Sequence, residues 1–142
     1  MMIMALTPSE RDEFLSEPHI GALAVAAAAG RGPLTVPIWY DYTAGELWLL
    51  TGPGSKKMEL INAAGRFSLM VERLEPTVRY VTAEGPVTGV APATDEVHEA
   101  MVRRYLPPDK VAGYLEFAES LGEQVVVTMR PEHWLSADLG GF

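Results

Sequence analysis

The sequence predicts one small, mainly β (α+β) domain, a six-stranded antiparallel β-barrel with short helices over its ends. Three observations support this fold class. The chain has 142 residues, which is enough for one domain and little more. Several short segments alternate apolar and polar side chains, as strands do, and short turns join many of them in succession. Four further segments have helix start signals or apolar residues at helical spacing.

The first half of the chain is predicted to contain two helices and three strands. Thr7 and Glu10 form a capping box that begins the first helix, and Pro18 ends it. Pro37 favours a sheet edge or a bulge, because proline has no N–H for the strand ladder. The alanine-rich residues 20–28 are predicted as a buried strand, with a helix as the alternative. The predicted order is helix 8–16, strand 20–28, strand 34–42, hairpin loop 43–45, strand 46–51 and helix 56–64.

The second half is predicted to contain three strands and two helices. Gly85 and Pro86 predict a bend in a long strand, and Thr94 is the predicted cap of the third helix. No element is predicted for residues 130–142, which hold Pro131 and Trp134. The predicted order is strand 66–73, strand 78–90, helix 92–106, helix 109–121 and strand 124–129.

Composition and charge exclude several classes of function. The chain has no cysteine, which rules out disulfides, cysteine-bound metals and a thiol nucleophile. Its formal net charge of −8 disfavours nucleic-acid binding, because phosphate backbones are repelled. The longest apolar run, residues 20–29, is far shorter than the roughly 18 residues that cross a bilayer. The N-terminus lacks the basic start of a secretion signal, so we expect a cytoplasmic protein without membrane contact.

The segment from Leu50 to Lys57 is the sharpest chemical feature of the sequence. A strand ends at Thr51, a glycine-containing loop follows, and a helix begins with Ser55, Lys56 and Lys57. A helix N-terminus presents free N–H groups and partial positive charge, to which these hydroxyl and ammonium groups add. The segment therefore predicts a cradle for a phosphate group. The alternative is an ordinary strand–turn–helix with two solvated lysines.

Neighbouring strands supply candidate walls for a flat ligand. Pro37 and Trp39 lie on a strand that pairs with the one ending at the cradle. A flat aromatic ligand needs apolar and aromatic walls with a few polar groups. The alternative is that Trp39 and Trp48 belong to the core. Arg79 and Tyr80 point to opposite faces of a later strand, so one of them is a further candidate, although Arg79 could instead pair with a carboxylate.

Several enzyme templates do not match the sequence. His19, His98 and His133 are far apart and lack the spacing of a metal site, so none is predicted. There is no G-x-S-x-G nucleophile motif and no G-x-G-x-x-G dinucleotide motif, and the loop before Lys56 is too short for a phosphate-binding loop of nucleotide hydrolases. A haem ligated by one of these histidines remains a weaker alternative.

The cradle and its flanks resemble a known family. The relevant stretches are Leu47-Trp48-Leu49-Leu50-Thr51, Ser55-Lys56-Lys57, Leu60 and Arg66-Phe67-Ser68-Leu69. This order resembles the pyridoxamine 5'-phosphate oxidase-like split barrels, in which a strand ends in Tyr-Thr, a Ser-Arg-Lys triplet opens a helix, and a strand containing Ser-Leu follows. Members bind FMN, the deazaflavin coenzyme F-420 in many actinobacterial branches, or haem in a few cases. The resemblance spans roughly residues 8 to 138.

The resemblance implies a cofactor site, residue by residue. Lys56 and Lys57 match the basic residues that hold the cofactor phosphate, while Thr51 and Ser55 match the strand-end threonine and the serine of the triplet. Tyr80 falls where the oxidases carry a cofactor-contacting glutamine. The family dimer lines each site with both chains, which implies a homodimer here. The residues implied to run along the cofactor ring are Thr35, Val36, Pro37, Ile38 and Trp39, and Leu50 is a further cofactor-binding candidate.

Two departures separate the chain from the oxidases proper. Residues 35–40 stand where the oxidases have Arg-x-Val-Leu-Leu-Lys, and they contain neither arginine nor lysine. Residues 130–134 replace the Arg-Leu-x-Pro ending. Residues 33–48 instead resemble the deazaflavin-using branch, with its Pro-x-Trp-Tyr and Glu-x-Trp-Leu strands. The resemblance therefore implies an acceptor such as an enone, a quinone or a pigment rather than pyridoxamine phosphate.

The sequence thus predicts an oxidoreductase that transfers hydride between bound FMN or F-420 and a small organic acceptor. The same residues would serve a non-catalytic carrier or sensor of either cofactor, and a haem-binding barrel is a weaker alternative. F-420 carries a glutamate tail, for which Arg31, Arg66, Arg73 and Arg79 are candidate contacts. Solvent could supply the proton of the reaction, and the candidate side-chain donors are Tyr80, Tyr40 and His133.

Overall fold

The computed structural model describes residues 4–141, which form four helices and eight strands. The helices are α1 (Pro8–Ser16), α2 (Lys56–Ala64), α3 (Asp95–Tyr105) and α4 (Pro108–Glu119). The strands are β1 (Gly21–Val25), β2 (Leu34–Ile38), β3 (Tyr40–Thr43), β4 (Glu46–Thr51), β5 (Arg66–Arg73), β6 (Val78–Pro92), β7 (Val125–Met129) and β8 (His133–Gly140). Within these residues no helix is both long and apolar enough to cross a membrane.

The strands form one curled antiparallel sheet. Its hydrogen-bonded order is β2-β1-β5-β6-β7-β4-β3, and β8 pairs with β6 beside this path. The first and last strands of the path, β2 and β3, are consecutive in the chain and separated by Trp39 alone. The sheet therefore curls until its two ends meet at this residue. The predicted mainly β class and the antiparallel pairing are confirmed.

The prediction of six strands is wrong in two places. The predicted strand 34–42 is broken at Trp39, so that its halves belong to opposite ends of the sheet. The residues after 130, predicted to hold no element, form β8 along the first part of β6. The sequence of this strand shows no clear alternation of buried and exposed residues. Leu135 is 63% exposed, while Ala137, on the same side of the strand, is 5% exposed. The alternative of a helix over 20–28 is also wrong, since β1 occupies Gly21–Val25.

The long strand β6 changes partner next to the predicted bend at Gly85 and Pro86. Residues up to Pro86 pair with β5, residues from Val87 onward pair with β7, and the register of the second pairing shifts between Val87 and Gly89. Gly85 has a further role. A Cβ atom at this position would lie 1.9 Å from the carbonyl oxygen of Arg130, so the close approach of two backbones requires glycine. The strand also runs to Pro92, so α3 begins at Asp95, three residues later than predicted.

The core fills the inside of the curled sheet and is closed by two helices. Inward residues of the strands, among them Leu23, Leu49 and Leu69, are almost fully buried. Met58 and Ile61 of α2 join this cluster from one side, as their spacing of three predicts. Phe14 and Leu15 of α1 join it from another side. The remaining members are Leu6, Val25, Tyr40, Leu47, Phe67, Val71, Val81, Ala83, Val127 and Met129.

The helix pair α3–α4 is held to the barrel by two side chains at the end of α3. The Arg104 guanidinium donates to the carbonyl oxygens of Leu15, Ser16 and Glu17 at 2.7–3.0 Å, and to that of Tyr40 at 2.8 Å. These contacts also satisfy carbonyl groups at the C-terminus of α1. The Tyr105 hydroxyl donates to the carbonyl oxygens of His19 and Tyr40 at 2.8 and 2.9 Å. The helix pair therefore lies over the Trp39 break in the sheet.

Candidate functional site

The turn from β4 into α2 has the local geometry that the sequence predicts. The Ser55 hydroxyl caps α2 by accepting a hydrogen bond from the Met58 N–H at 3.2 Å. The Thr51 hydroxyl lies 2.9 Å from that of Ser55, and Thr51 is itself buried at the end of β4. Helical hydrogen bonding begins with the Glu59 N–H, which donates to the Ser55 carbonyl. The N–H groups of Lys56 and Lys57 consequently have no partner within the helix.

The two lysines of this turn differ in their surroundings. The Lys56 side chain is 67% exposed and its ammonium lies 3.5 Å from the Glu59 carboxylate. Lys57 is only partly exposed, and within residues 4–141 it makes no salt bridge. Glu59 therefore offsets one lysine against the positive end of the helix dipole. The positive charge of Lys57 is left without a carboxylate partner in the described chain.

The strand predicted to contact a cofactor ring lines two hollows that share two of their residues. One, the helix-side cavity, lies between the Trp39 break and helices α3 and α4 and has a volume of about 320 Å³. The other, the sheet-face groove, lies on the outer face of β1, β2 and β5 and has a volume of about 400 Å³. Ile20 and Pro37 line both of them.

The helix-side cavity has mostly apolar walls. Trp39 stacks on Tyr105 with ring centroids 4.8 Å apart, and Tyr114 lies against it at 5.2 Å. Leu50, the residue before Thr51, contributes to the same wall, so the cavity begins one residue from the α2 turn. The full lining is Ile20, Pro37, Ile38, Trp39, Leu50, His98, Met101, Val102, Tyr114 and Gln124.

The sheet-face groove collects the other ring-contacting candidates. Thr35 and Val36 line it together with Met70 and Glu72 of the neighbouring strands. Tyr80 is the β6 residue paired with Glu72, so it stands next to the groove without being part of its lining. The structure therefore divides the predicted ring strand: Thr35 and Val36 line the groove, Ile38 and Trp39 the cavity, and Pro37 both.

The candidate proton donors are scattered, and Tyr40 is not accessible to a ligand. Its side chain is fully buried in the core, and its hydroxyl donates to the Leu15 carbonyl oxygen at 3.0 Å. Burial raises the pKa of this hydroxyl well above its usual range. His133 is exposed at the start of β8, paired with Glu84. The side chains of Tyr40, Tyr80 and His133 therefore do not line one common site. The prediction that Tyr40 could donate a proton to a ligand is wrong, because its hydroxyl is buried.

The proposed basic groove for a glutamate tail is not assembled. Arg79 makes salt bridges with Asp138 at 2.8 Å and with Glu10 at 3.8 Å. Arg73 donates hydrogen bonds to Thr77, and its guanidinium lies over the ring of Phe14. Arg66 lies 3.8 Å from the Glu132 carboxylate. Three of the four arginines thus face partners within the chain, and the structure corrects the expectation that they line one groove.

A third hollow beside the α2 turn is acidic. This acidic cavity, of about 680 Å³, lies between α3, α4 and the loop residue Pro53. Gln124 and His98 line both it and the helix-side cavity. Its carboxylates are those of Asp95, Glu96, Glu99, Glu119 and Glu123. The surface on the Pro53 side of the turn is therefore negative.

Sequence reasoning missed the contribution of the α3–α4 helix pair. His98, Met101 and Val102 of α3 and Tyr114 of α4 line the helix-side cavity. No motif connects them to Trp39, from which they are separated by about 60 or more positions in the chain. The apolar face of α3, on which Met101 and Val102 are buried, is the sequence feature that could have indicated a packing surface here. His19 and His133 do not line this cavity, so the three histidines do not form one haem site.

Comparisons with known proteins agree on one fold. A family model described as pyridoxamine 5'-phosphate oxidase matches residues 7–134. An F420 reductase of known structure superposes with a TM-score of 0.70 at 21% identity, covering 87% of this chain and 94% of its own. A conserved hypothetical protein from Mycobacterium tuberculosis gives 0.72 at 21% identity, covering 95% and 86%. A FAD-binding protein from Mesorhizobium loti gives 0.66 at 22% identity, covering 99% and 100%. No curated protein matches the chain.

Proposed function

We propose that this chain, which belongs to the pyridoxamine 5'-phosphate oxidase family, is a flavin-dependent oxidoreductase that acts on a small organic acceptor. One observation carries the proposal. The capped N-terminus of α2 follows directly on Leu50 and Thr51, and Leu50 shares a cavity with the Pro37–Trp39 strand. A turn with the features of an anion site and an apolar, aromatic wall are therefore adjacent, which supports a phosphorylated aromatic cofactor.

The phosphate of the cofactor would bind at the α2 turn. The N–H groups of Lys56 and Lys57 are free of helical partners and carry the partial positive charge of the helix N-terminus. The ammonium of Lys57, which no carboxylate of the described chain pairs, adds a full charge. Ser55 is already the helix cap and Thr51 its buried partner, so both would hold the turn in shape.

The ring system would lie along β2, between the sheet-face groove and the helix-side cavity that adjoins the α2 turn. Thr35 and Pro37 are exposed there, Val36 is half-buried, and Tyr80 stands at the neighbouring strand. The bound flavin would supply the hydride chemistry, while the protein positions it and excludes water. Ile38 and Trp39 continue the strand past the groove and into the helix-side cavity.

A second copy of the chain would complete the groove. The outer sheet face exposes large apolar side chains, including Ile20 at 55%, Met70 at 37% and Leu135 at 63%. Met70, Thr82 and Leu135 are register partners across β5, β6 and β8, so they form one row on this face. Exposed apolar side chains such as Met70 and Leu135 on one sheet face favour association. We therefore propose a homodimer in which each cofactor contacts both protomers.

FMN suits the described surface better than coenzyme F-420. The glutamate tail of F-420 adds negative charges beyond the phosphate. Near the turn, the Pro53 side is occupied by the acidic cavity, and Arg66, Arg73 and Arg79 already face partners within the chain. The single terminal phosphate of FMN brings fewer negative charges to this surface than the tail of F-420 does.

The proposal is tested by titrating the apoprotein with FMN, riboflavin and F-420 and following flavin or deazaflavin fluorescence. We expect FMN to bind more tightly than riboflavin, which lacks the phosphate, and more tightly than F-420. Lys57→Ala should weaken FMN binding by about tenfold, the effect of losing one charge-assisted contact. It should leave riboflavin binding unchanged.

Lys110→Ala is the matched control, because Lys110 is an exposed lysine on α4 away from the turn. Equal FMN affinity for wild type and Lys57→Ala would refute the phosphate assignment. Binding of neither FMN nor F-420 would refute the proposed function itself.

A further inference from the structure

We propose that the helix pair α3–α4 is a hinged lid whose movement opens and closes the helix-side cavity. The pair is one excursion of the chain between two neighbouring strands. Pro92 at the end of β6 and Val125 at the start of β7 are register partners, and the Ala93 N–H donates to the Gln124 carbonyl oxygen at 2.9 Å. The lid, residues 94–123, therefore leaves the barrel and returns to it at one point. Ala93 and Gln124 form the hinge.

The buried residues of the lid do not belong to the core of the barrel. Met101 and Val102 of α3 and Val111 and Ala118 of α4 are at most 4% exposed. In the described chain, none of these four residues belongs to the barrel core cluster or to the half-buried residues that pack against it. The two helices are therefore stabilised mainly by contact with each other. Such a unit can move away from the barrel without opening the barrel core.

The far end of the lid is held mainly by hydrogen bonds to backbone groups. Arg104 and Tyr105, the last two residues of α3, donate to carbonyl oxygens at the end of α1, at His19 and at Tyr40. The Tyr105 hydroxyl also accepts from the Tyr40 N–H at 3.1 Å. Arg104 and Tyr105 form the latch. Water can replace each of these hydrogen bonds when the lid moves away, so release of the latch is reversible.

The lining of the helix-side cavity is divided between the barrel and the lid. The α3 residues that line it lie between the hinge and the latch along the helix, so a rotation about the hinge separates two walls of the cavity. Near the hinge, the acidic cavity also separates the lid from Pro53. The barrel supplies Ile20, Pro37, Ile38, Trp39 and Leu50, and the lid supplies His98, Met101, Val102 and Tyr114.

Trp39 is the barrel side chain that reports the position of the lid. Its ring stacks on Tyr105 at 4.8 Å between centroids and contacts Tyr114 at 5.2 Å. Opening of the lid removes both rings and exposes Trp39 to solvent. Trp134 is a reference within the same chain, because it packs against the barrel core and has the Arg11 guanidinium over its ring.

This inference goes beyond the proposed function, because it concerns a movement of the chain and holds for any occupant of the helix-side cavity. A molecule in the cavity contacts both walls and therefore binds the closed lid more tightly than the open lid. Its binding shifts the population toward the closed state. Both tests below use the full chain without added flavin, so failure of the proposed function leaves their outcome unchanged.

The first test measures the distance between the lid and the barrel. Because the chain has no cysteine, spin labels can be attached at Glu13→Cys on α1 and Lys110→Cys on α4, both exposed positions. Pulsed electron paramagnetic resonance gives the distribution of distances, with labelled chain mixed into an excess of unlabelled chain. A second pair, Glu13→Cys with Asn62→Cys on α2, reports on the barrel alone.

Two latch variants shift the equilibrium of the lid. Arg104→Met removes the guanidinium, and we expect the population of longer distances between positions 13 and 110 to rise about tenfold. Tyr105→Phe removes only the hydroxyl, keeps the ring on Trp39 and should raise this population severalfold, which provides a test if Arg104→Met does not fold. Arg103→Met is the control and should match wild type, since Arg103 is exposed and pairs with Glu99.

Two outcomes of the distance measurement would overturn the proposal. The first is an unchanged distribution between positions 13 and 110 in the folded latch variants. The second is an equal broadening of the distribution between positions 13 and 62, which would show that the whole fold loosens instead of the lid alone.

The second test asks whether the movement opens the cavity. The three tryptophans are replaced by fluorotryptophan, and their fluorine NMR signals are assigned with Trp→Phe variants. A soluble paramagnetic compound broadens the signals of exposed rings. We expect it to broaden the Trp39 signal severalfold more in the latch variants than in wild type, and the Trp134 signal equally in all. Longer lid distances with an unchanged Trp39 signal would refute the opening of the cavity.

Discussion

The α2 turn and the helix-side cavity are neighbours that the chain builds in opposite ways. In the turn, Thr51, Ser55 and Met58 contact one another within eight consecutive residues. In the cavity, Trp39 meets Tyr105 and Tyr114, which lie more than 60 positions later. The contacts of the turn join residues that are close in the chain, so they cost little loop entropy, whereas the cavity exists only when α3 and α4 are docked. The geometry of the turn therefore depends mainly on local contacts, whereas the cavity depends on long-range contacts.

The largest expected effect is on the docking of α3. Arg104→Met removes the donor from four backbone carbonyl groups and from Asp41, whose carboxylate lies 3.1 Å away. We expect a loss of about 2–4 kcal/mol in the free energy of unfolding, measured in denaturant, because several charge-assisted hydrogen bonds between α3 and the end of α1 would be lost. Arg103→Met should cost less than about 0.5 kcal/mol, as an exposed i,i+4 pair contributes little. Equal losses in the two variants would contradict the contrast.

A smaller effect is expected from the cap of the turn. Ser55→Ala removes the acceptor for the Met58 N–H and should cost about 1 kcal/mol of stability. Thr94→Ala removes the equivalent cap of α3, which accepts from the Val97 N–H at 3.2 Å, and should cost a similar amount. The two variants should differ in FMN affinity, which falls for Ser55→Ala alone. Weaker FMN binding in Thr94→Ala would show that the turn is not independent of the helix pair.

The smallest expected effect is on the stability of the fold at low pH, and it involves Asp138 on β8. Hydrogen bonds from the Gly140 N–H and the Thr77 hydroxyl, together with Arg79, hold the pKa of Asp138 below its usual value. A lowered carboxyl pKa stabilises the fold above the unfolded value near 3.8 and loses this contribution as pH falls. Asp138→Asn should therefore flatten the decline of stability between about pH 5 and pH 2. An unchanged acid limb in thermal melts would contradict the role of this carboxylate.

The sequence predicted what depends on neighbours in the chain. The start of α2 at Ser55 and the helix bounds 56–64 follow from local rules, and both are confirmed. It also predicted β4 and β5 with their observed bounds, because their alternation is clear. The roles of Lys56, Lys57 and the ring strand stay predictions.

What the sequence could not give depends on long-range contacts. Trp39 alternates in step with its strand, and nothing local indicates that the chain leaves one end of the sheet there and enters the other. His98 lies on an amphipathic helix whose partner surface is set by Arg104, a residue indistinguishable in sequence from the exposed Arg103. The strand spacing of Tyr40 is the same whether its side chain lies in a ligand site or in the core. Its hydroxyl is buried because it donates to carbonyl groups at the end of α1, and the sequence does not indicate this contact.

The junction at Trp39 places one residue between the two ends of the sheet. β2 and β3 continue into each other through it, although in the described chain β2 pairs with β1 and β3 pairs with β4. The sheet is closed at this point by the chain itself rather than by a ladder of hydrogen bonds. A change of backbone conformation at Trp39 would therefore act on both ends of the sheet at once.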